Sequence, residues 1–115
     1  MRLSTPQVRY FLTAAREGNL TRAAQICGVR QPTISQSLKD LEAALGGALF
    51  RRAHHGVALT PLGRAVRPHL AAIARAAIRA GQTAQTFCRA VKSTDPGVGG
   101  PRALATGEES AGLVG

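Results

Sequence analysis

Acidic residues are scarce in this chain, which has 6 Asp+Glu against 15 Lys+Arg in 115 residues. The imbalance is local. Residues 1–92 carry 14 basic and 3 acidic side chains, and residues 93–115 carry 1 and 3. A small domain this basic repels itself unless a polyanion neutralises it, so nucleic acid is the expected partner. Tryptophan is absent, and Tyr10, Phe11, Phe50 and Phe87 are the only aromatic rings. That argues against a single-strand binder, which stacks bases on aromatic platforms. Long apolar runs are missing too. The longest uncharged stretch, Ala53 to Gly63, contains two His, a Pro and two Gly, far from the ~20 apolar residues of a membrane helix. The Tyr10–Ala15 run is too short and too soon interrupted for a secretory signal. With only Cys27 and Cys88, 61 positions apart, no metal-ligand spacing forms, and a reduced cytoplasmic setting is the expectation.

The 44% of apolar residues still suffice for a core, and their spacing is helical. Thr5-Pro6 is a start signal, and Val8, Phe11, Leu12 and Ala15 form one stripe that ends at Gly18-Asn19. A short second helix from about Thr21 turns Ala23, Ala24 and Cys27 inward and breaks at Gly28. A third begins at Gln31-Pro32, aligns Ile34, Leu38, Leu41 and Leu45, and stops at Gly46-Gly47. Ala48–Arg51 and Val57–Thr60 read as short strands around a His54-His55-Gly56 turn. Thr60-Pro61 then starts an Ala-rich helix running to about Val91. On it Leu70, Ile73, Ala77, Ala80, Ala84, Phe87 and Val91 follow a heptad spacing, an expected seam for a second chain. Pro68 inside this helix is expected to kink or loosen it. Ser93–Gly115, with six Gly and two Pro, lacks periodicity, so 92–115 is expected to be disordered.

Three short helices, a two-stranded hairpin and a long helix make a mainly α winged helix-turn-helix at 1–60, followed by a linker and dimerisation helix at 61–91. The third helix buries one face. Its other face carries Gln31, Thr33, Ser35, Gln36, Ser37 and Lys39, short polar groups that suit base edges and phosphates. Its N-terminal dipole also favours phosphate.

Residues 3–66 resemble the DNA-binding domain of LysR-type transcriptional regulators. The resemblance rests on Arg9-Tyr10-Phe11, Leu20-Thr21-Arg22-Ala23-Ala24, Gln31–Leu38, Leu41-Glu42, Leu49–Arg52 and Leu59–Gly63 in order and spacing. It implies a bacterial, cytoplasmic, nucleoid-associated protein with its helix-turn-helix over Leu20–Lys39. It also implies a homodimer through the linker helix on double-stranded DNA, on an interrupted inverted repeat. The family's base-contacting positions carry over onto Gln31, Pro32, Thr33, Ser35 and Gln36, with Arg30 and Lys39 beside them, and its wing contacts onto Arg52 and His55. Gln pairs well with adenine, and Pro32 and the Thr33 methyl suit a thymine methyl, so A/T-containing half-sites are expected.

Three departures stand out. Arg30 occupies a position where the family usually has a capping hydroxyl, an expected loss of ~0.5–2 kcal/mol unless Gln31 or the backbone takes over. His55 and Ala58 replace frequent basic residues, so the wing is expected to grip the minor groove less strongly. The family's effector-binding domain has no counterpart here, so a truncated form without a small-molecule effector is expected. No metal or cofactor is expected: adjacent His54 and His55 should point apart, with no third ligand nearby. Nor does an enzyme fit, for there is no nucleophile–base pair, phosphate loop or metal cluster. Two other readings remain open. One is a short antagonist that heterodimerises with full-length relatives through the linker helix. The other is a non-specific basic DNA binder, which would need only Lys and Arg on the third helix.

Overall fold

The computed structural model describes residues 2–94, with the side chains of 92–94 left aside. The order is α1 (Thr5–Glu17), α2 (Leu20–Cys27), α3 (Gln31–Leu45), β1 (Phe50–Ala53), β2 (Gly56–Leu59) and α4 (Pro61–Thr94). The expected disordered segment 92–115 falls outside the described residues except for 92–94, which continue α4.

α1 starts at Thr5, one residue earlier than expected. Ser4, not Thr5, is the N-cap: its hydroxyl accepts the Gln7 N–H while the Gln7 side chain accepts the Ser4 N–H. This reciprocal pair satisfies two otherwise orphaned donors. The buried stripe also differs from the expected one. Val8, Phe11 and Ala14 are buried, while Leu12 and Ala15 are half-buried at its edge. Thr13 is buried as well, and its hydroxyl donates to the Arg9 carbonyl at 2.8 Å. α1, α2 and α3 pack on one another around Phe11, Ile34, Leu41 and Leu49, each with no exposed surface.

The wing strands differ from the expected ones: β1 lies two residues later and β2 one residue earlier. Ala48 and Leu49 are not paired in it; β1 and β2 are antiparallel with Phe50 opposite Leu59 and Ala53 opposite Gly56. The cause is Leu49, which the core takes in completely, so pairing begins only at Phe50. Leu49 is also fixed by its backbone: its N–H donates to Glu42 Oε2 at 2.8 Å and its carbonyl accepts the Thr60 N–H at 2.9 Å. Phe50 meets Phe11 at 5.4 Å between ring centroids, and the Val57 N–H donates to the Gly18 carbonyl, which ties the wing to α1.

Thr60 caps α4 by accepting the Gly63 N–H and donating to the Ala48 carbonyl at 2.7 Å. A Cβ on Gly63 would collide with the Leu49 carbonyl oxygen, so this turn of α4 lies directly on the backbone entering the wing. α4 continues through Pro68 without interruption. Leu62, Val66, Leu70 and Ala74 pack against the winged-helix core. Packing divides the chain at Ala77, within α4.

Candidate nucleic-acid interface

α2, a tight turn and α3 form a helix-turn-helix. Asn19 caps α2 by accepting the Arg22 N–H at 2.8 Å. Gly28, at φ 71°, closes α2 and lets Gly28-Val29-Arg30 redirect the chain within three residues. Arg30 is the N-cap of α3 and makes no side-chain cap bond. The loss is smaller than the sequence implied. Pro32 has no N–H to cap, and the Thr33 and Ile34 N–H groups both reach the Arg30 carbonyl, at 3.0 and 3.3 Å. Gln31 does not serve as a substitute cap; its Oε1 accepts from the Thr21 hydroxyl at 3.2 Å.

α3 buries Ile34, Leu38 and Leu41. Of the expected contact residues on this element, Arg30, Gln31, Pro32, Thr33, Gln36 and Lys39 are exposed and Ser35 is half-buried. Arg52 and His55 are exposed on the wing. An open groove brings Gln31 and Lys39 together with Arg52 and His55. Arg30, Pro32, Thr33, Ser35 and Gln36 do not line that groove. Asn19, Thr21 and Arg51 are polar lining residues that the sequence reading did not assign to the site. The Arg51-Arg52 pair was the available signal. In the two-stranded ribbon both are exposed.

Glu17 forms ion pairs with Arg16 at 3.0 Å and Arg22 at 3.2 Å. The Arg16 hydrogen bond, aided by Arg22, holds its carboxyl below the ordinary value of 4.5. At the wing tip His55 takes φ 63°. The His54 and His55 rings do not point apart as expected: their centroids lie 3.9 Å apart. No cluster of three metal-ligating side chains occurs among the described residues.

A winged helix with this α2–turn–α3 geometry has a clear set of relatives. The profile of bacterial regulatory helix-turn-helix proteins of the lysR family matches residues 6–64. The chain belongs to the LysR family. It is similar to the transcriptional regulator BudR of Klebsiella aerogenes, 50% identical over 58 residues that make up 50% of this chain and 41% of BudR. The structure of the CbnR DNA-binding domain in complex with DNA matches with a TM-score of 0.69 and 34% identity, covering 75% of this chain and 99% of that one. Full-length OxyR C199D from Pseudomonas aeruginosa matches with a TM-score of 0.70 and 34% identity, over 74% of this chain and 29% of that one. The LysR-type match thus spans less than half the length of the curated relatives.

The seam expected on α4 needs one correction. Leu70 is 3% exposed and belongs to the chain's own core, so it is not offered to a partner. Ile73 at 41% and Phe87 at 67% are exposed, as are Ala77, Ala80 and Ala84. Ile78, next to the seam, is 60% exposed and was not singled out in the sequence. Cys27 is buried in α2, and Cys88 on α4 is exposed. No described helix is long and apolar enough to cross a membrane.

Proposed function

We propose that this LysR-family chain binds double-stranded DNA sequence-specifically, as a cytoplasmic, nucleoid-associated regulator of transcription. In this reading α3 enters the major groove, and Arg51 and Arg52 on the wing meet phosphates or the adjacent minor groove. The observation that carries it is the groove joining Gln31 and Lys39 of α3 to Arg51 and Arg52 of the wing. It combines base-reading amides with phosphate-neutralising cations. A non-specific binder would fill the outer face of α3 with cations, and Lys39 is the only one within Gln31–Leu45. We further propose a homodimer joined along α4 from Ile73 to Phe87, reading an interrupted inverted repeat with A/T-containing half-sites. We propose, too, that DNA binding by these residues needs no small-molecule effector.

The test is affinity measured at several salt concentrations on a duplex selected from a random library and on a scrambled duplex. Gln31→Ala is expected to cost about 1–3 kcal/mol on the selected duplex and little on the scrambled one. Arg52→Ala is expected to weaken both and to make the salt slope shallower by ~1 unit. Equal affinity of the unaltered chain for the two duplexes overturns the sequence-specific reading.

A further inference from the structure

Gln36 lies on α3 roughly opposite the buried Ile34, Leu38 and Leu41, which makes it the outermost side chain of the helix. One turn later stands Asp40, the only acidic residue on the exposed face of α3, since Glu42 reaches the backbone at Leu49. A carboxylate there works against phosphate binding, so electrostatics alone does not account for it. Its contact does. The Gln36 Nε2 donates to Asp40 Oδ1 at 2.9 Å.

The sense of this bond is forced by chemistry. A carboxylate accepts and has no proton to give, so the amide must turn its NH2 group toward Asp40 and leave Oε1 free. Against Thr21, whose hydroxyl both donates and accepts, Gln31 is under no such constraint. In water an exposed pair at this spacing is weak. Inside a groove that excludes water, an unpaired carboxylate or amide becomes costly, and the pairing fixes which edge of Gln36 meets the DNA.

We propose that Asp40 is a specificity-determining positioning residue that presets Gln36 as a hydrogen-bond acceptor toward the bases. The inference rests on the sequence-specific reading above. An outward Oε1 selects bases that present an amino group in the major groove, adenine through N6 and cytosine through N4. It rejects guanine and thymine, which present O6 and O4 at the corresponding place. Adenine is favoured over cytosine, because its N7 can also accept the second Nε2 proton.

The experiment selects bound duplexes from a randomised double-stranded library with the full chain and with three variants, each checked for native helix content. Gln36→Ala identifies the base position that Gln36 reads. At that position the unaltered chain is expected to prefer adenine and cytosine over guanine and thymine on the order of tenfold. Asp40→Asn, whose amide can face Gln36 either way, is expected to reduce that preference to about threefold or less. Asp40→Lys presents only donors, turns Oε1 inward, and is expected to invert the preference toward guanine and thymine. A merely structural or electrostatic role for Asp40 changes overall affinity without inverting a base. Unchanged preference in both Asp40 variants, or no position sensitive to Gln36→Ala, overturns the inference while sequence-specific binding stands. A library in which the unaltered chain enriches no motif overturns that underlying reading instead.

Discussion

Glu42 near the end of α3 accepts the backbone N–H of Leu49 at 2.8 Å, and the same oxygen lies 3.4 Å from the Phe50 N–H. A single carboxylate thus joins α3 to the residues entering the wing. Leu49 is fully buried, so removing the acceptor leaves a donor with no water to turn to. Glu42→Ala is expected to cost about 1–3 kcal/mol, measured by urea denaturation. Glu42→Gln keeps an acceptor and is expected to lose less. Equal stability of all three chains would show that the loop is held by Leu49 packing alone.

Two glycines on α4 are expected to respond in opposite directions. At Gly63 a Cβ would strike the Leu49 carbonyl oxygen, a backbone atom already tied to Thr60. Gly63→Ala is expected to destabilise by about 3 kcal/mol, because the helix must move off the loop. At Gly81 nothing lies within 4 Å of the added atom. There Gly81→Ala is expected to strengthen the helix by up to about 1 kcal/mol, since alanine loses less backbone entropy on ordering. Thermal melts of the two variants beside the unaltered chain read the contrast directly.

Acid is expected to weaken the α1–α2 junction. Arg16, then Arg22, lowers the Glu17 pKa in the folded chain from its ordinary 4.5. A group whose folded pKa is lowered binds fewer protons when folded, so it adds stability above its unfolded pKa. That contribution is complete above about pH 4.5 and is lost as pH falls through the lowered folded value. Glu17→Gln is therefore expected to narrow the stability gap between neutral and acid pH. Denaturation at pH 7 and at successively lower pH measures it; parallel profiles for the two chains would remove Glu17 from the acid response.

With Leu70 committed to the core, the candidate seam has Ile73 and Phe87 at its ends and Ala77, Ala80 and Ala84 between them. Alanines bury little area, so the dimer is expected to be weak without DNA. Replacing the three by Leu adds methylenes worth about 0.8 kcal/mol each when buried. The variant is expected to dimerise at least about tenfold more tightly and, through linked half-sites, to bind a two-half-site duplex more strongly. Sedimentation of both chains at micromolar concentration is the check. A tight unaltered dimer, or a variant no tighter, places the contact elsewhere.

The helices, and the apolar faces of α2 and α3, were legible in the sequence because they depend on neighbours one turn away. The 3.6-residue period, Gly28 between α2 and α3, and Thr60-Pro61 at the start of α4 all act within a few positions. So does the polar outer face of α3. What the sequence left undecided joins residues from different elements. The Leu49 backbone is held by Glu42, Thr60 and the close approach of Gly63, and with its side chain in the core β1 starts two residues later than expected. Leu70 fitted a heptad as well as it fits the core, and only packing chose between them. Arg51 joined Arg52 in the groove because the two-stranded ribbon exposes both. Periodicity records which side of an element is apolar; which partner covers that side is set by three-dimensional packing among residues that have no fixed spacing along the chain.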